Sequence, residues 1–259
     1  MQQKMKLIGL FAATMLAGSG SAWADSETAH HTPHWAYSGE GGPVNWGDLK
    51  DDYAACGRGS QQSPIDIRSD TAISADLGAI QFNYKATPLK VLNNGHTVQV
   101  NYAPGSSITV AGKTYQLLQF HFHTPSEHMV DGEAAPMELH FVHRNDTGDL
   151  AVVGVMTKKG QMHEALQPLW DHLSHEINVE MTVPGMHVDA AALLPRQSRD
   201  YYHYMGSLTT PPCSEIVSWF VLKEPIVVSE TQVARFIDTI GANARPVQAI
   251  NRRLVVVTD

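Results

Sequence analysis

Leu117-Leu118-Gln119-Phe120-His121-Phe122-His123-Thr124-Pro125-Ser126-Glu127-His128 is the stretch on which the reading of this chain turns. Phenylalanines alternate with histidines, and a β-strand sends successive side chains to opposite faces. Phe120 and Phe122 therefore point one way, while Gln119, His121 and His123 share the other. A second run, Glu138-Leu139-His140-Phe141-Val142-His143, repeats the alternation and puts Glu138 and His140 on one face. Burying an imidazole without a partner is costly, so a histidine in such a strand is either satisfied by a core neighbour or a ligand. For any one of the three, the core explanation is sufficient. Together, His121, His123 and His140 on adjacent strands suit Zn²⁺: three neutral imidazoles with a fourth position left for water make the open arrangement of a catalytic site. Gln119 and Glu138 are then placed to accept a ring N–H each and fix the tautomers.

The chain around these runs reads as an antiparallel meander. Short β-like segments at 80–84, 89–93, 97–102, 107–110 and 114–123 are divided by Asn93-Asn94-Gly95, Ala103-Pro104-Gly105 and Ala111-Gly112-Lys113, which are turn sequences at hairpin spacing. The pattern continues at 137–144, 150–158, 201–205, 216–222 and 254–257. Helical spacing is confined to 162–174, where Ala165, Leu166, Leu169 and Leu173 share a face, and to 229–238, with Ser229 as N-cap. No repeat or linker divides the chain, so one mainly β (α+β) domain with peripheral helices is expected.

The N-terminus carries a different signal. Lys4 and Lys6 precede an apolar run from Leu7 to Ala17, followed by small residues ending in Ala22-Trp23-Ala24, the layout of a cleaved secretory leader. The run is too short for the roughly 20 residues of a membrane span. Cleavage after Ala24 leaves a domain over 25–259 that is periplasmic or secreted, with no membrane association in the mature form. Loss of the two lysines takes the formal charge from −8 to −10, which argues against binding nucleic acid. In an exported chain the two cysteines, Cys56 and Cys213, are expected to form a disulfide, the alternative being two buried thiols.

Other histidines carry weaker signals. His163-Glu164 opens like a zinc-protease helix, but Gln167 stands where the second histidine is needed. His172 and His175 read as helix surface, and His30, His31 and His34 as part of a solvated loop. Trp35, Tyr37 and Trp46 pin that loop to the core. Ser207-Leu208-Thr209-Thr210-Pro211-Pro212 offers two hydroxyls, and Glu127 offers a carboxylate near the histidine strand. A threonine hydroxyl that donates to a carboxylate is left only to accept from an attacking oxygen.

These motifs, together with Gln62-Ser63-Pro64-Ile65-Asp66-Ile67, Asn93-Asn94-Gly95-His96, Ser126-Glu127-His128 and Asn243-Ala244-Arg245-Pro246-Val247-Gln248, make the chain resemble an α-class carbonic anhydrase over almost its whole mature length. The resemblance implies a single domain around a large, twisted, mostly antiparallel sheet of about ten strands. It implies a zinc enzyme interconverting carbon dioxide and bicarbonate, with His121, His123 and His140 as ligands and Gln119 and Glu138 supporting them. Thr209, held by Glu127, would orient the zinc-bound hydroxide, and His96 would shuttle the proton. Val142, Val152, Leu208, Val217 and Trp219 would form the apolar wall for carbon dioxide, and Tyr37, Asn94, Gln99 and Thr210 the side that orders water. The short connection after His123, the leader and the cysteine pair resemble the bacterial branch, for which a homodimer is expected. Two other functions fit the same residues: a non-catalytic anhydrase-like binding domain, which should have lost a metal histidine, and an esterase using the same zinc.

Overall fold

The computed structural model describes residues 34–259. The leader assigned to residues 1–24, and His30 and His31, lie outside the described residues. In chain order the strands are β1 (Asp66–Ile67), β2 (Ile73–Ala75), β3 (Gln81–Asn83), β4 (Thr87–Asn93), β5 (Val98–Asn101), β6 (Ser107–Val110), β7 (Lys113–His123), β8 (Met129–Val130), β9 (Glu133–Ala134), β10 (Glu138–Arg144), β11 (Leu150–Lys159), β12 (Glu180–Val188), β13 (Tyr201–Gly206), β14 (Val217–Val228) and β15 (Val256–Thr258).

Ten of them run side by side in the order β12-β4-β5-β7-β10-β11-β14-β13-β15-β2, and β3 and β6 attach beside β7 to make a 12-stranded sheet. Within it only β11–β14 and β15–β2 pair in parallel. The remaining three strands, β1, β8 and β9, form a separate small sheet.

Alternation divides the large sheet into two faces. On one, Phe120, Phe122, Phe141 and Phe220 pack with Leu166, Leu169, Trp170 and Phe236 from the helical segments. Each aromatic fully withdrawn from water stabilises the fold by about 1.5–3 kcal/mol. On the other face Val152, Val217, Trp219 and Val221 pack with Ile65, Ile67 and Tyr204. The histidine pair of β7 lies on the face opposite Phe120 and Phe122, as the alternation requires.

Two elements differ from the sequence reading. The helix expected over 162–174 is reduced to a 3-10 turn at Glu164–Leu166 and one α-turn at Gln167–Trp170. Pro168 lacks an N–H and its ring obstructs the preceding turn, and the His172 ring takes the Pro168 carbonyl at 2.8 Å, which a continuing helix would use. Strand β12 had no clear signal because Pro184 and Gly185 interrupt it. It is an edge strand whose register against β4 breaks between Thr182 and His187, where such residues are tolerated. The second expected helix is present as Glu230–Ile240, and Ser229 and Gln232 close a capping box at its start, worth about 1 kcal/mol.

Candidate active site

Strands β7 and β10 pair antiparallel so that His140 lies opposite His121, Glu138 opposite His123 and Val142 opposite Gln119. One nitrogen from each of His121, His123 and His140 lies within 4.8 Å of the other two. The other nitrogen of each ring faces a partner, through a hydrogen bond for His121 and His123 and a close contact for His140. His121 Nδ1 donates to Gln119 Oε1 at 2.8 Å, His123 Nδ1 donates to the Asn243 carbonyl at 2.8 Å, and His140 Nε2 lies 2.9 Å from Glu138 Oε1. These contacts leave Nε2 of His121, Nε2 of His123 and Nδ1 of His140 for a common guest. His123 Nε2 is buried with no hydrogen-bond partner, an arrangement that is costly unless something else occupies its lone pair. A converging set of three neutral nitrogens, on two buried rings and one partly buried, fits a borderline-soft cation with tetrahedral preference.

The electrostatics agree. Burial lowers the pKa of all three imidazoles, that of His123 to about 4 and that of His121 well below its ordinary value, where the neighbouring His123 and His140 rings add to the effect. They are therefore neutral at pH 7, the state a metal requires. Burial alone would raise the pKa of Glu138, but the charges and hydrogen bonds of His128 and His140 overcome it and hold the carboxyl well below the usual range. Its Oε2 accepts from the backbone N–H of both Glu127 and His128 at 2.9 Å. His128, Glu138 and His140 also cluster closely, but their atoms are spent on one another, so that group supports the site and does not open to a guest.

Space for this arrangement comes from Gly154, which lies opposite His140 on β11. A Cβ there would stand 2.9 Å from Glu138 Oε1 and 3.5 Å from Val221. Neighbouring rows carry the apolar wall. Val142 lies opposite Val152, and Val152 opposite Trp219; these three, with Val217 and Leu208, belong to one packed cluster. Trp219 sits 4.8 Å from the His140 ring, edge to face.

Glu127 is fully withdrawn from water, which pushes its carboxyl up to about 7 against His140, the Thr209 hydroxyl and the Arg245 amide, each of which holds it down. Oε1 accepts from Arg245 N at 2.9 Å; Oε2 lies 3.5 Å from His123 Nε2 and has no hydrogen-bond partner. Thr209 is itself buried. The next hydroxyl, Thr210, lines a cleft of ≈ 120 Å³ with Tyr37, Asn94, His96, Gln99, Gln119, His121 and His123. The polar members are partly committed. Asn94 Oδ1 accepts from the N–H groups of His96 and Thr97, and Gln99 donates to Asn101 at 2.6 Å.

His96 lines the same cleft, but its ring is held by other aromatic rings. It stacks on Trp35 with centroids 3.6 Å apart and planes 13° apart, and on His34 at 5.2 Å. Burial first, and His34 second, lower its pKa to about 4. A shuttle needs a pKa near the working pH, and in the stacked position the ring lies below that range.

Cys56 and Cys213 form a disulfide, as expected; Cys213 stands three residues beyond Thr210, whose carbonyl accepts from Cys213 N at 2.9 Å. Sequence reasoning assigned no part to Asn243, whose carbonyl fixes His123 and whose side chain bonds Thr124, His96 and Phe122, nor to His128, Gly154 and Arg245. Gly154 lies in the β-like run 150–158, where a glycine carries no signal of its own, and His128, Asn243 and Arg245 are marked only by the matching motifs that contain them.

Known proteins resemble the chain along most of its length. A family model described as eukaryotic-type carbonic anhydrase matches residues 41–259. A carbonic anhydrase of Nostoc sp. is 43% identical over 260 residues, covering 98% of this chain and 96% of that one. Another from Neisseria gonorrhoeae is 41% identical over 239 residues, covering 91% and 92%. Among solved structures, the α-carbonic anhydrase of Thermovibrio ammonificans, in complex with the inhibitor sulfanilamide, matches with a TM-score of 0.83 at 44% identity, over 87% of this chain and 99% of that one.

Proposed function

The chain belongs to the eukaryotic-type carbonic anhydrase family, and from that premise we propose that it interconverts carbon dioxide and bicarbonate at a zinc ion held by His121, His123 and His140. The observation that carries this reading is the set of three rings, two of them buried and one partly so, each with one nitrogen against a partner and one left toward a common point. Zinc held there supplies Lewis acidity, lowering the pKa of a coordinated water to about 7, for which this enzyme class is the reference example.

The protein's own groups divide the remaining work. Gln119, the Asn243 carbonyl and Glu138 keep the three rings in the tautomers that present their lone pairs. Arg245 N fixes the Glu127 carboxyl from one side, leaving Oε2 to accept from Thr209. A cation among the imidazoles favours the ionised form of Glu127. With its proton committed to Glu127, the Thr209 oxygen accepts from the attacking oxygen and aims its free lone pair at carbon. Val142, Val152, Leu208, Val217 and Trp219 give the apolar substrate a dry rest, while Tyr37, Asn94, Gln99 and Thr210 line the wet side. His96 carries the released proton outward when its ring leaves the Trp35 stack and its pKa returns toward the ordinary value.

We further propose that the mature domain begins at Asp25 and works outside the cytoplasm. The disulfide supports this, and among the described residues no helix is long and apolar enough to cross a membrane.

Stopped-flow hydration before and after removal of metal by a chelator tests the function. The rate is expected to vanish with the metal and return with one zinc per chain; a rate indifferent to chelation would refute it.

A further inference from the structure

A continuous line of buried polar contacts, hydrogen-bonded from Glu138 onward, runs from the histidine cluster to the segment that carries Thr209. His140 Nε2 lies 2.9 Å from Glu138 Oε1, and that oxygen accepts from His128 Nδ1 at 2.8 Å. His128 Nε2 lies 2.6 Å from the Tyr204 hydroxyl, which donates to Ser63 Oγ at 2.9 Å. Ser63 Oγ also accepts from Ser207 N at 3.1 Å, and Ser63 N donates back to Ser207 Oγ at 2.9 Å. Ser207 Oγ donates to the Leu208 carbonyl at 2.8 Å, and its own carbonyl accepts from Trp219 Nε1 at 3.0 Å. His128, Glu138, Ser63 and Ser207 are all 0% exposed and Tyr204 is 1% exposed.

The two ends of this line come from distant parts of the chain, and Tyr204 is where they meet. Its ring lies parallel to that of Trp219, planes 7° apart, which fixes where the hydroxyl can be. Gly206 leaves room for Ser63 to approach: a side chain there would collide with Ser63 Oγ, Tyr204 and Trp219. Without the phenol oxygen, the His128 ring would lose its outer anchor and Ser63 one of its two partners. Buried polar networks of this kind specify one geometry when fully satisfied and lose it when a member is removed.

We propose that Tyr204 is a positioning residue that locks two parts of the site in one fixed relation: the His140 ring, through His128 and Glu138, and the Thr209 segment, through Ser63 and Ser207. Tyr204 itself touches neither reactant nor metal ligand. The inference rests on the zinc site proposed above and adds that the ligand set and the hydroxyl that orients the attacking oxygen share a single buried anchor.

The test is the rate of zinc release from the full zinc-loaded chain into excess chelator, with hydration kinetics and thermal melting alongside. Tyr204→Phe keeps the ring and removes only the hydroxyl. Loss of a partner behind a metal ligand weakens metal affinity by roughly 10- to 100-fold, so Tyr204→Phe, one step further out, is expected near the lower bound, releasing zinc about tenfold faster with a reduced kcat/KM. Tyr201→Phe is the control: another buried tyrosine of the same strand, whose hydroxyl donates to the Gly78 carbonyl away from this line. It should lower the melting temperature and leave zinc release unchanged. Ser63→Ala gives a second reading if Tyr204→Phe fails to fold, with faster release by a smaller factor and a lower kcat/KM. Parental release in Tyr204→Phe or Ser63→Ala, or equal acceleration in Tyr201→Phe, overturns the proposal. A parent that holds no zinc overturns both this proposal and the function; a parent that holds zinc while Tyr204→Phe releases it at the parental rate overturns this inference alone.

Discussion

The two ends of the cleft are built on different principles. At the inner end each histidine has a named hydrogen-bonding or ion-pair partner behind it, and one of those partners, Glu138, is held in turn by two backbone N–H groups. At the outer end His96 is positioned by stacking against Trp35 and His34, and no hydrogen bond to its ring is present among the described residues. A directional network fixes a ring; a stack lets it slide and leave at modest cost. The contrast suits a division of labour in which bond making needs fixed geometry and proton export needs movement.

Removing a ligand tests the rigid end most severely. His140→Ala should abolish stoichiometric zinc binding and hydration together while Glu138 loses a buried partner; metal analysis beside stopped-flow rates checks it, and an active, zinc-free variant would break the comparison. Next in size is Gly154→Ala. Its Cβ would crowd Glu138 Oε1 at 2.9 Å, so a stability loss of about 1–3 kcal/mol should come with weaker zinc binding. Denaturant melts and competitive zinc titration measure the two; a lost melt with unchanged zinc affinity would place the crowding elsewhere.

A pH dependence follows from the buried imidazoles. His123 and His143 both have their pKa lowered by burial to about 4, from an ordinary 6.5. A group depressed in the folded state contributes stability above its unfolded pKa and loses it as the pH falls through the folded value. Glu127 acts in the opposite sense, since its pKa is raised to about 7 and its contribution is lost as pH rises. The imidazoles outnumber it, so the melting temperature of the metal-free protein should fall between pH 6.5 and 4. A flat profile across that window would contradict the neutral, buried state assigned to these rings. The smallest effect belongs to the outer end. Trp35→Ala should raise the His96 pKa from about 4 toward its ordinary value, read by NMR titration, with only a modest change in hydration rate in dilute buffer.

What the sequence revealed, and what it hid, follows the same division. The alternation at Phe120-His121-Phe122-His123 and in the run from Glu138 to His143 was enough to place both faces of β7 and β10, because period-two patterning is a direct record of burial. The strand neighbours Val142, Val152 and Trp219 then fall into one row. By contrast, the partner behind His123 is a backbone carbonyl, and any residue type at position 243 would supply one. The role of Gly154 was equally hidden, since what matters there is a missing atom beside Glu138. The apolar spacing over 162–174 suggests a longer helix than forms, because Pro168 limits the turn before it. For His96, the motif indicates where the ring is attached, whereas its stacking partners come from a loop some sixty residues earlier, at His34 and Trp35.

X-ray absorption at the zinc edge of the purified, metal-loaded protein tests the central claim most directly. The account predicts one zinc per chain in a four-coordinate shell of three imidazole nitrogens and one oxygen at about 2.0 Å, with that shell lost in His123→Ala. An oxygen-rich shell, or a spectrum unchanged by that substitution, would contradict it.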